Sequence, residues 1–239
     1  NFMPSILKNW DTKTWIASED YINSFNKFLT KSIKLNSKSK ILDIGCGRGK
    51  ILGTLSSQLK LINKPLGIDI VNHKDKDKRI LFQKTDALSF FLKNKETFDL
   101  ILIKQTIHFL KMNEIKKLLF LCNKSLNKNG VIFILNLDSY KNELPTFSLM
   151  DKKLKNSFKR HQKIFFLISQ IFHTVNIKKF EFNVTISKKK YLDMVKQRYI
   201  SMLLNFSNKQ ILNGIKEIDQ KYGEILNFKD KLFCFILKK

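Results

Sequence analysis

A run of glycines directly after a short apolar segment constrains the fold of this chain more than any other feature. The apolar segment covers residues 41–44, and Gly45, Gly47 and Gly49 follow it at alternate positions. Apolar residues at helical spacing resume at Ile51, so the stretch predicts a strand, a tight turn and a helix. Glycine suits such a turn because it adopts positive φ and lets a ligand approach the backbone closely. In an open parallel sheet the turn would lie at the carboxyl edge, where nucleotide-like ligands bind.

An acidic residue near the end of the next predicted strand strengthens this interpretation. Asp69 lies twenty positions after Gly49, close to the spacing at which a carboxylate reaches ribose hydroxyls in nucleotide-binding units. The glycine spacing excludes two common phosphate-binding motifs. A dinucleotide-binding loop would need its third glycine at Lys50, and a P-loop would need Ser or Thr at Ile51. An ordinary turn that happens to contain glycines explains the pattern less well than a nucleotide-like ligand of another kind.

Polar residues follow the third and fourth predicted strands, residues 80–84 and 98–103. Asp86 follows the third strand and also suits the N-cap of a helix that begins near Ala87. The fourth strand is apolar enough to be buried on both faces, as a central parallel strand is. The residues that follow it, at the edge where open α/β sheets bind ligands, are Lys104, Gln105 and His108.

The rest of the chain is predicted to contain three more strands and long helical segments. We expect a helix over residues 112–126 that ends at Asn129-Gly130. Later, residues 207–210 match a capping box that opens another helix. The remaining predicted strands are residues 131–137, 175–186 and 231–237.

The composition limits the partners and the compartment. The chain carries 45 Lys and Arg against 20 Asp and Glu, a formal net charge of +25. Only four of these basic residues are arginine, the side chain that favours bidentate recognition of phosphates and bases, so we expect no specific nucleic-acid partner. No apolar run approaches the length of a membrane span, so we expect no membrane partner either. Cys46, Cys122 and Cys234 are widely spaced and odd in number, which predicts a reducing, cytoplasmic location and no metal cluster.

Four sequence segments together resemble one enzyme family. The segment LDIGCGRG, which ends at Gly49, resembles motif I of the class I S-adenosylmethionine-dependent methyltransferases. The segments GIDI with Asp69, TDA with Asp86, and FDLILIKQTIHFL with Gln105 and His108 are similar to the small-molecule branch that includes trans-aconitate methyltransferases. The resemblance covers residues 40–137.

This resemblance implies an α/β fold built on a Rossmann-like, seven-stranded sheet. The sheet would be mostly parallel, with an antiparallel last strand and helical insertions that cover the substrate side. Residues 1–239 would form a single domain, active as a monomer or a homodimer. Its parts would be an N-terminal lid or helices (1–39), a cofactor-binding core (40–137), and helical substrate-side segments (138–174 and 187–228).

The resemblance also implies S-adenosylmethionine as the cofactor, S-adenosylhomocysteine as the product, and a small-molecule acceptor, with an anionic acceptor among the options. His108 would act as a base or orient the acceptor. The alternative for His108 is a buried histidine hydrogen-bonded to the backbone. For Arg160 and Arg198 the alternative, and the commoner case, is an ordinary surface arginine. The cofactor-binding residues would be Asp43, Gly45, Cys46, Gly47, Gly49, Asp69, Ile70, Asp86, Ala87 and Lys104. The catalytic residues would be His108 and Gln105, and the acceptor-binding residues Trp10, Trp15, Arg160, Arg198 and Tyr199.

Two other functions stay open at this point. The net charge favours an RNA methyltransferase, but the fourth strand is not followed by the Asn/Asp-Pro-Pro-Tyr/Phe motif of amino-methylating enzymes, and no Pro-Cys or Thr-Cys nucleophile is present. A non-catalytic protein that keeps the cofactor fold is the second alternative. The complete set of glycines and acids argues against a lost cofactor site but does not demonstrate turnover.

Overall fold

The computed structural model describes residues 14–239, and in this part of the chain seven strands form one sheet in the order β3-β2-β1-β4-β5-β7-β6. Strand β7 runs antiparallel to both of its neighbours, and the other neighbouring pairs are parallel. The predicted mostly parallel sheet with an antiparallel last strand is therefore confirmed. The strands are β1 Ile41–Ile44, β2 Leu66–Asp69, β3 Leu81–Lys84, β4 Phe98–Lys104, β5 Leu126–Leu137, β6 Val175–Ser187 and β7 Ile225–Lys238.

Helices cover both faces of the sheet. Strand β4 is buried throughout its centre because alternate residues face opposite helical layers. Ile101 and Ile103 belong to the apolar cluster that includes residues of α3, α4 and α5, whereas Leu100 and Leu102 belong to the cluster with α1 and α2. The helices are α1 Glu19–Ser32, α2 Lys50–Leu59, α3 Ala87–Lys93, α4 Met112–Lys124, α5 Ser148–Ile171, α6 Lys188–Lys196 and α7 Asn208–Lys221, with short 3₁₀ turns at Trp15–Ala17, Ile107–Phe109 and Ser201–Leu203.

Two predicted helix starts are confirmed by their capping geometry. The Asp86 side chain accepts a hydrogen bond from the Ser89 amide at the start of α3. At the start of α7, Ser207 and Gln210 form the predicted reciprocal capping box. None of the helices between residues 14 and 239 combines the length and apolar character needed to span a membrane.

The predicted end of α4 is wrong. The helix stops at Lys124 and β5 begins at Leu126, so Asn129-Gly130 lies inside the strand. The pairing register with β4 shifts there, and Asn129 adopts a left-handed φ of 66°. A Cβ at Gly130 would lie 2.8 Å from the Phe98 carbonyl oxygen, so the small residue is required by close approach of the neighbouring strand. The Asn-Gly signal marks an irregularity within a strand rather than a helix end.

Strands β6 and β7 continue beyond the sheet as a two-stranded arm. The last residue pair between β5 and β7 is Leu137–Leu232, but β6 and β7 stay paired out to Ser187–Ile225. The arm explains why β7 begins six residues before its predicted start at Lys231. Residues 188–224, here named the cap, carry α6 and α7 and share a separate apolar core with the arm. The helical insertion is thus held by its own core at the carboxyl edge of β5.

Candidate active site

A cavity of about 390 Å³ lies at the carboxyl edge of the parallel strands. The walls come from the glycine loop, the ends of β2 and β4, the start of α3, the turn at Trp15–Ala17, and the cap. Fifteen of the seventeen predicted site residues line it. They are Trp15, Asp43, Gly45, Cys46, Gly47, Gly49, Asp69, Ile70, Asp86, Ala87, Lys104, Gln105, His108, Arg198 and Tyr199. Arg160 is not among the lining residues, and Trp10 lies outside the described part of the chain.

The glycine loop presents bare backbone to this cavity. All three glycines have positive φ, between 57° and 78°. At Gly45 a Cβ would lie 2.2 Å from the Thr106 Oγ1 atom, because the loop packs directly against the turn after β4. At Gly47 a Cβ would meet nothing within 4 Å. Gly45 is therefore needed for packing, whereas the space beside Gly47 is open for a ligand.

Asp69 joins the second strand to the glycine loop. Its two carboxylate oxygens accept hydrogen bonds from the Gly47 amide (2.9 Å) and the Val71 amide (2.8 Å). The His73 Nε2 atom lies 3.7 Å from one of these oxygens. Because an ionised carboxylate offers about four acceptor positions, the two backbone bonds leave room for ligand hydroxyls. The same bonds hold the carboxylate at the mouth of the loop.

Asp43 is a buried acid whose ionisation is unfavourable. It is 5% exposed, at the point where β1 enters the glycine loop. Burial raises the pKa of Asp43 to about 7; the positive charge of Lys104 lowers it, and the negative charge of Asp69 raises it further. Burial, followed by the charges of Asp43 and Asp69, raises the pKa of the Cys46 thiol far above its ordinary value. Cys46 is therefore a neutral thiol in the cavity wall and not a nucleophile.

The turn after β4 brings His108 to the cavity in its neutral form. Gln105 has a left-handed φ of 52°, and its side-chain oxygen accepts a hydrogen bond from Lys104 Nζ at 3.0 Å. The Nε2 atom of His108 is buried and has no hydrogen-bond partner among residues 14–239. Burial, with smaller effects of His161 and Arg160, lowers the pKa of His108 to about 4. A group with this pKa is a weak base, so a role in orienting a ligand suits His108 better than proton abstraction does.

The two predicted arginine ligands are used inside the protein. Arg160 donates to the backbone carbonyls of His108 and Leu110, and so secures the turn that carries His108. Arg198 lines the cavity, but its guanidinium donates to the Phe206 carbonyl at 3.0 Å and to the Asn208 side chain at 2.8 Å. Periodicity in the sequence could not reveal these carbonyl partners, which lie fifty and eight positions away.

An acid that sequence reasoning missed completes the cap side of the cavity. Asp230 of β7 lines the cavity and accepts a hydrogen bond from Trp15 Nε1 at 2.9 Å. The Trp15 ring contacts the rings of Tyr199 and Phe228, with centroids 5.4 and 5.3 Å away. Tyr199 is buried, and its hydroxyl lies 2.9 Å from that of Tyr191. Trp15 thus lies in the cavity wall between Tyr199 of the cap and Phe228 and Asp230 of β7.

Comparison with known proteins agrees with this geometry. The family model for a methyltransferase domain matches residues 16–184. No curated protein sequence matches the chain. Among solved structures, the plantazolicin methyltransferase BpumL, in complex with a triazolic desmethylPZN analogue and S-adenosylhomocysteine, is 16% identical; the match covers 98% of this chain and 90% of that chain, with a TM-score of 0.55.

Two further solved structures show the same fold. The YcgJ protein from Bacillus subtilis is 16% identical, with 91% of this chain and 98% of that chain covered and a TM-score of 0.57. The Haemonchus contortus phosphoethanolamine N-methyltransferase 2 is 14% identical, with 97% of this chain and 60% of that chain covered and a TM-score of 0.52. The family match spans most of the chain and includes the glycine loop, Asp69, Asp86 and the turn after β4. The chain therefore belongs to the methyltransferase domain family and is an S-adenosylmethionine-dependent methyltransferase.

Proposed function

We propose that this enzyme methylates a small-molecule acceptor that is enclosed between the sheet and the cap. The observation that carries the proposal is the continuous cavity wall from Gly47 to Tyr199 and Asp230. Residues of the cap, among them Arg198 and Tyr199, line the same cavity as the glycine loop, and a cap over the acceptor would restrict the access of an RNA chain. Closure excludes water and strengthens polar contacts to an acceptor.

The cofactor would lie along the glycine loop. The open space beside Gly47, the remaining acceptor positions on Asp69 and the location of Asp86 at the cavity wall would suit its methionine, ribose and adenine parts respectively. S-adenosylmethionine, when bound, supplies an activated methyl group together with its own leaving group. The residues of the chain then contribute mainly alignment and exclusion of water.

His108 and Gln105 would position the acceptor beside the methyl group. Both line the cavity at the turn after β4, and the neutral His108 ring offers a buried nitrogen without a partner in the described chain. A trans-aconitate-type acceptor would be anionic. The Lys and Arg residues in the described cavity wall are Arg48, Lys50, Lys104 and Arg198, and the Arg198 guanidinium donates to Phe206 and Asn208. Asp230 lies in the same wall, and its carboxylate favours a cationic acceptor group over an anionic one.

The test is donor binding combined with product release. We expect S-adenosylmethionine to bind the wild-type protein and S-adenosylhomocysteine to be released when a small acceptor is added. Asp69→Asn should weaken donor binding by roughly tenfold to a hundredfold, because a hydrogen bond to a charged group contributes about 1.5–3 kcal/mol. The matched control is Asp193→Asn, an exposed acid of α6 outside the cavity.

Titration calorimetry on both variants measures donor affinity, and assays of S-adenosylhomocysteine release and of methyl incorporation into RNA measure turnover. Equal donor affinity for Asp69→Asn and the control would show that Asp69 does not hold the ribose. Binding without turnover of any small molecule would favour a non-catalytic protein. Methyl incorporation into RNA at physiological salt would favour the RNA methyltransferase, since non-specific polyanion binding to the lysine-rich surface should weaken steeply as salt rises.

A further inference from the structure

Asp230 breaks the inward-facing apolar series of β7. Inward residues of this strand alternate as Leu226, Phe228, Asp230, Leu232 and Cys234, and all five are buried. Period-two alternation calls for an apolar residue at the central position. A carboxylate there is 2% exposed and carries a desolvation cost unless it has a charged or hydrogen-bonding partner.

The position of Asp230 is the acceptor end of the cavity. It lies two residues before Leu232, which pairs with the last residue of β5, so it stands just beyond the carboxyl edge of the sheet. The glycine loop follows β1 and Asp69 ends β2, and in the sheet β4 and β5 lie between β1 and β7. A ligand group beside Asp230 would therefore belong to the acceptor rather than to the ribose or adenine of the donor.

Trp15 holds the carboxylate in place without satisfying its charge. Among residues 14–239, the Trp15 indole is the hydrogen-bond donor found on the Asp230 side chain, and it contacts one of the two oxygens. A neutral amide oxygen would accept this bond equally well, so the bond alone does not explain an acid. Burial raises the pKa of Asp230, while the Trp15 bond and the positive charge of Lys104 lower it, and the net shift is upward. The protein's own groups leave the negative charge incompletely compensated.

The surroundings suit a cation that also donates hydrogen bonds. Trp15 and Tyr199 line the cavity beside Asp230, and their rings are 5.4 Å apart in an edge-to-face arrangement. Aromatic faces attract ammonium groups, and a carboxylate forms short charge-assisted bonds with them. An anionic group would instead be repelled by Asp230 at this end of the cavity.

We infer that Asp230 binds the ammonium group of an amine acceptor, with Trp15 as the residue that positions the carboxylate. The bound ammonium group passes one proton to water, and the nitrogen lone pair then forms the N–C bond as the C–S bond of the donor breaks and S-adenosylhomocysteine leaves. This inference rests on the proposed function. It differs from the expectation of an anionic acceptor held by arginine, since Arg160 does not line the cavity and the Arg198 guanidinium donates to Phe206 and Asn208.

The test uses matched probes that differ only in the acceptor group. Primary amines, alcohols and carboxylates on the same ethyl, benzyl and 2-phenylethyl frames are supplied with S-adenosylmethionine, and S-adenosylhomocysteine release is measured. We expect turnover in the amine series. Asp230→Asn should lower kcat/KM for the best amine at least tenfold, mainly through KM, with the donor Kd unchanged. Trp15→Phe, which removes only the N–H donor and part of the ring, should give a smaller loss of the same kind, and Asp193→Asn should give none.

The possible results separate this inference from the proposed function. Turnover confined to alcohols or carboxylates, or full amine turnover by Asp230→Asn, overturns the amine assignment and leaves the small-molecule function standing. No turnover in any series by a protein that binds the donor overturns both. A variant that loses donor affinity together with amine affinity would show that Asp230 has a general structural role, which also overturns the inference.

Discussion

Asp43 offers the sharpest prediction, because its substitution by asparagine tests the effect of ionisation while the shape of the side chain stays the same. Asp43→Asn keeps the size of the side chain and removes its ionisation. In the folded protein the pKa of Asp43 is raised from 3.8 to about 7, with burial as the main cause. The folded state thus holds this proton more tightly than the unfolded state does. The resulting stabilisation is fully present below pH 3.8 and is lost as the pH rises through about 7.

The size of the effect follows from the two pKa values. A change from 3.8 to about 7 corresponds to roughly 4 kcal/mol over the full range, at about 1.4 kcal/mol per pKa unit. Between pH 5 and pH 8 the linkage relation gives a loss of roughly 2–3 kcal/mol in the wild type. The amide of Asp43→Asn cannot ionise, so the variant should lack this loss. Other groups act in the opposite direction, since the lowered pKa of His108 makes stability rise with pH between about 4 and 6.5.

The difference between wild type and variant cancels these other groups. Urea unfolding of the ligand-free proteins at pH 5 and pH 8 gives the two free energies of unfolding. We expect Asp43→Asn to gain roughly 2–3 kcal/mol on the wild type between these pH values, whatever constant offset the substitution brings. Parallel pH dependences would refute the reasoning, because they would mean that Asp43 ionises in the folded protein as easily as in the unfolded chain.

Two further predictions concern the glycine loop and the turn after β4. In the ligand-free protein, the unfolding midpoint of Gly45→Ala should lie well below that of Gly47→Ala. Both glycines have positive φ, but a Cβ at Gly45 would lie 2.2 Å from Thr106, whereas a Cβ at Gly47 would meet nothing within 4 Å. Equal midpoints would mean that the loop does not pack against Thr106. His108→Asn should lower methyl transfer by roughly tenfold with donor affinity unchanged. Because the pKa of His108 is about 4, the wild-type rate should show no His108 titration between pH 5.5 and 8, and a step near pH 6.5 that this substitution abolishes would contradict the buried placement.

The donor side of the molecule could be predicted from sequence because its signals are local. The order of strand, glycine turn and helix lies within fourteen residues, and each glycine is required by the positive φ of its own turn. The N-caps at Asp86 and Ser207 are likewise set by residues three positions away. The one local signal that misled was Asn129-Gly130, because an Asn with left-handed φ occurs at strand irregularities as well as at helix ends.

The acceptor side could not be predicted in the same way because its contacts join distant segments. The Trp15 indole bonds to Asp230 across 215 positions, and Arg160 bonds to the turn after β4 across about fifty. The sequence predicts Trp15 and Arg160 as site residues, but nothing in their own neighbourhoods indicates the distant groups to which they bond. A signal for Asp230 was nevertheless present, since an acid interrupts the alternating apolar positions of the last strand. Its meaning depended on knowing that β7 extends beyond the sheet edge.

The extended arm of β6 and β7 suggests that donor binding and acceptor binding depend on different parts of the molecule. In the proposed function, the sheet edge recognises the cofactor through the glycine loop, Asp69 and Asp86, and this arrangement would serve any reaction that uses the same donor. The arm adds a separate apolar core, the cap and Asp230 without disturbing the pairing of β5 with β7. Substitutions in the arm and cap should therefore change acceptor choice at constant donor affinity, whereas substitutions at the loop should change donor affinity for every acceptor. Asp230 and Asp69 both line the cavity, but we expect their substitution to affect different measurements. Asp69→Asn should weaken donor binding, whereas Asp230→Asn should lower kcat/KM for the acceptor and leave donor binding unchanged.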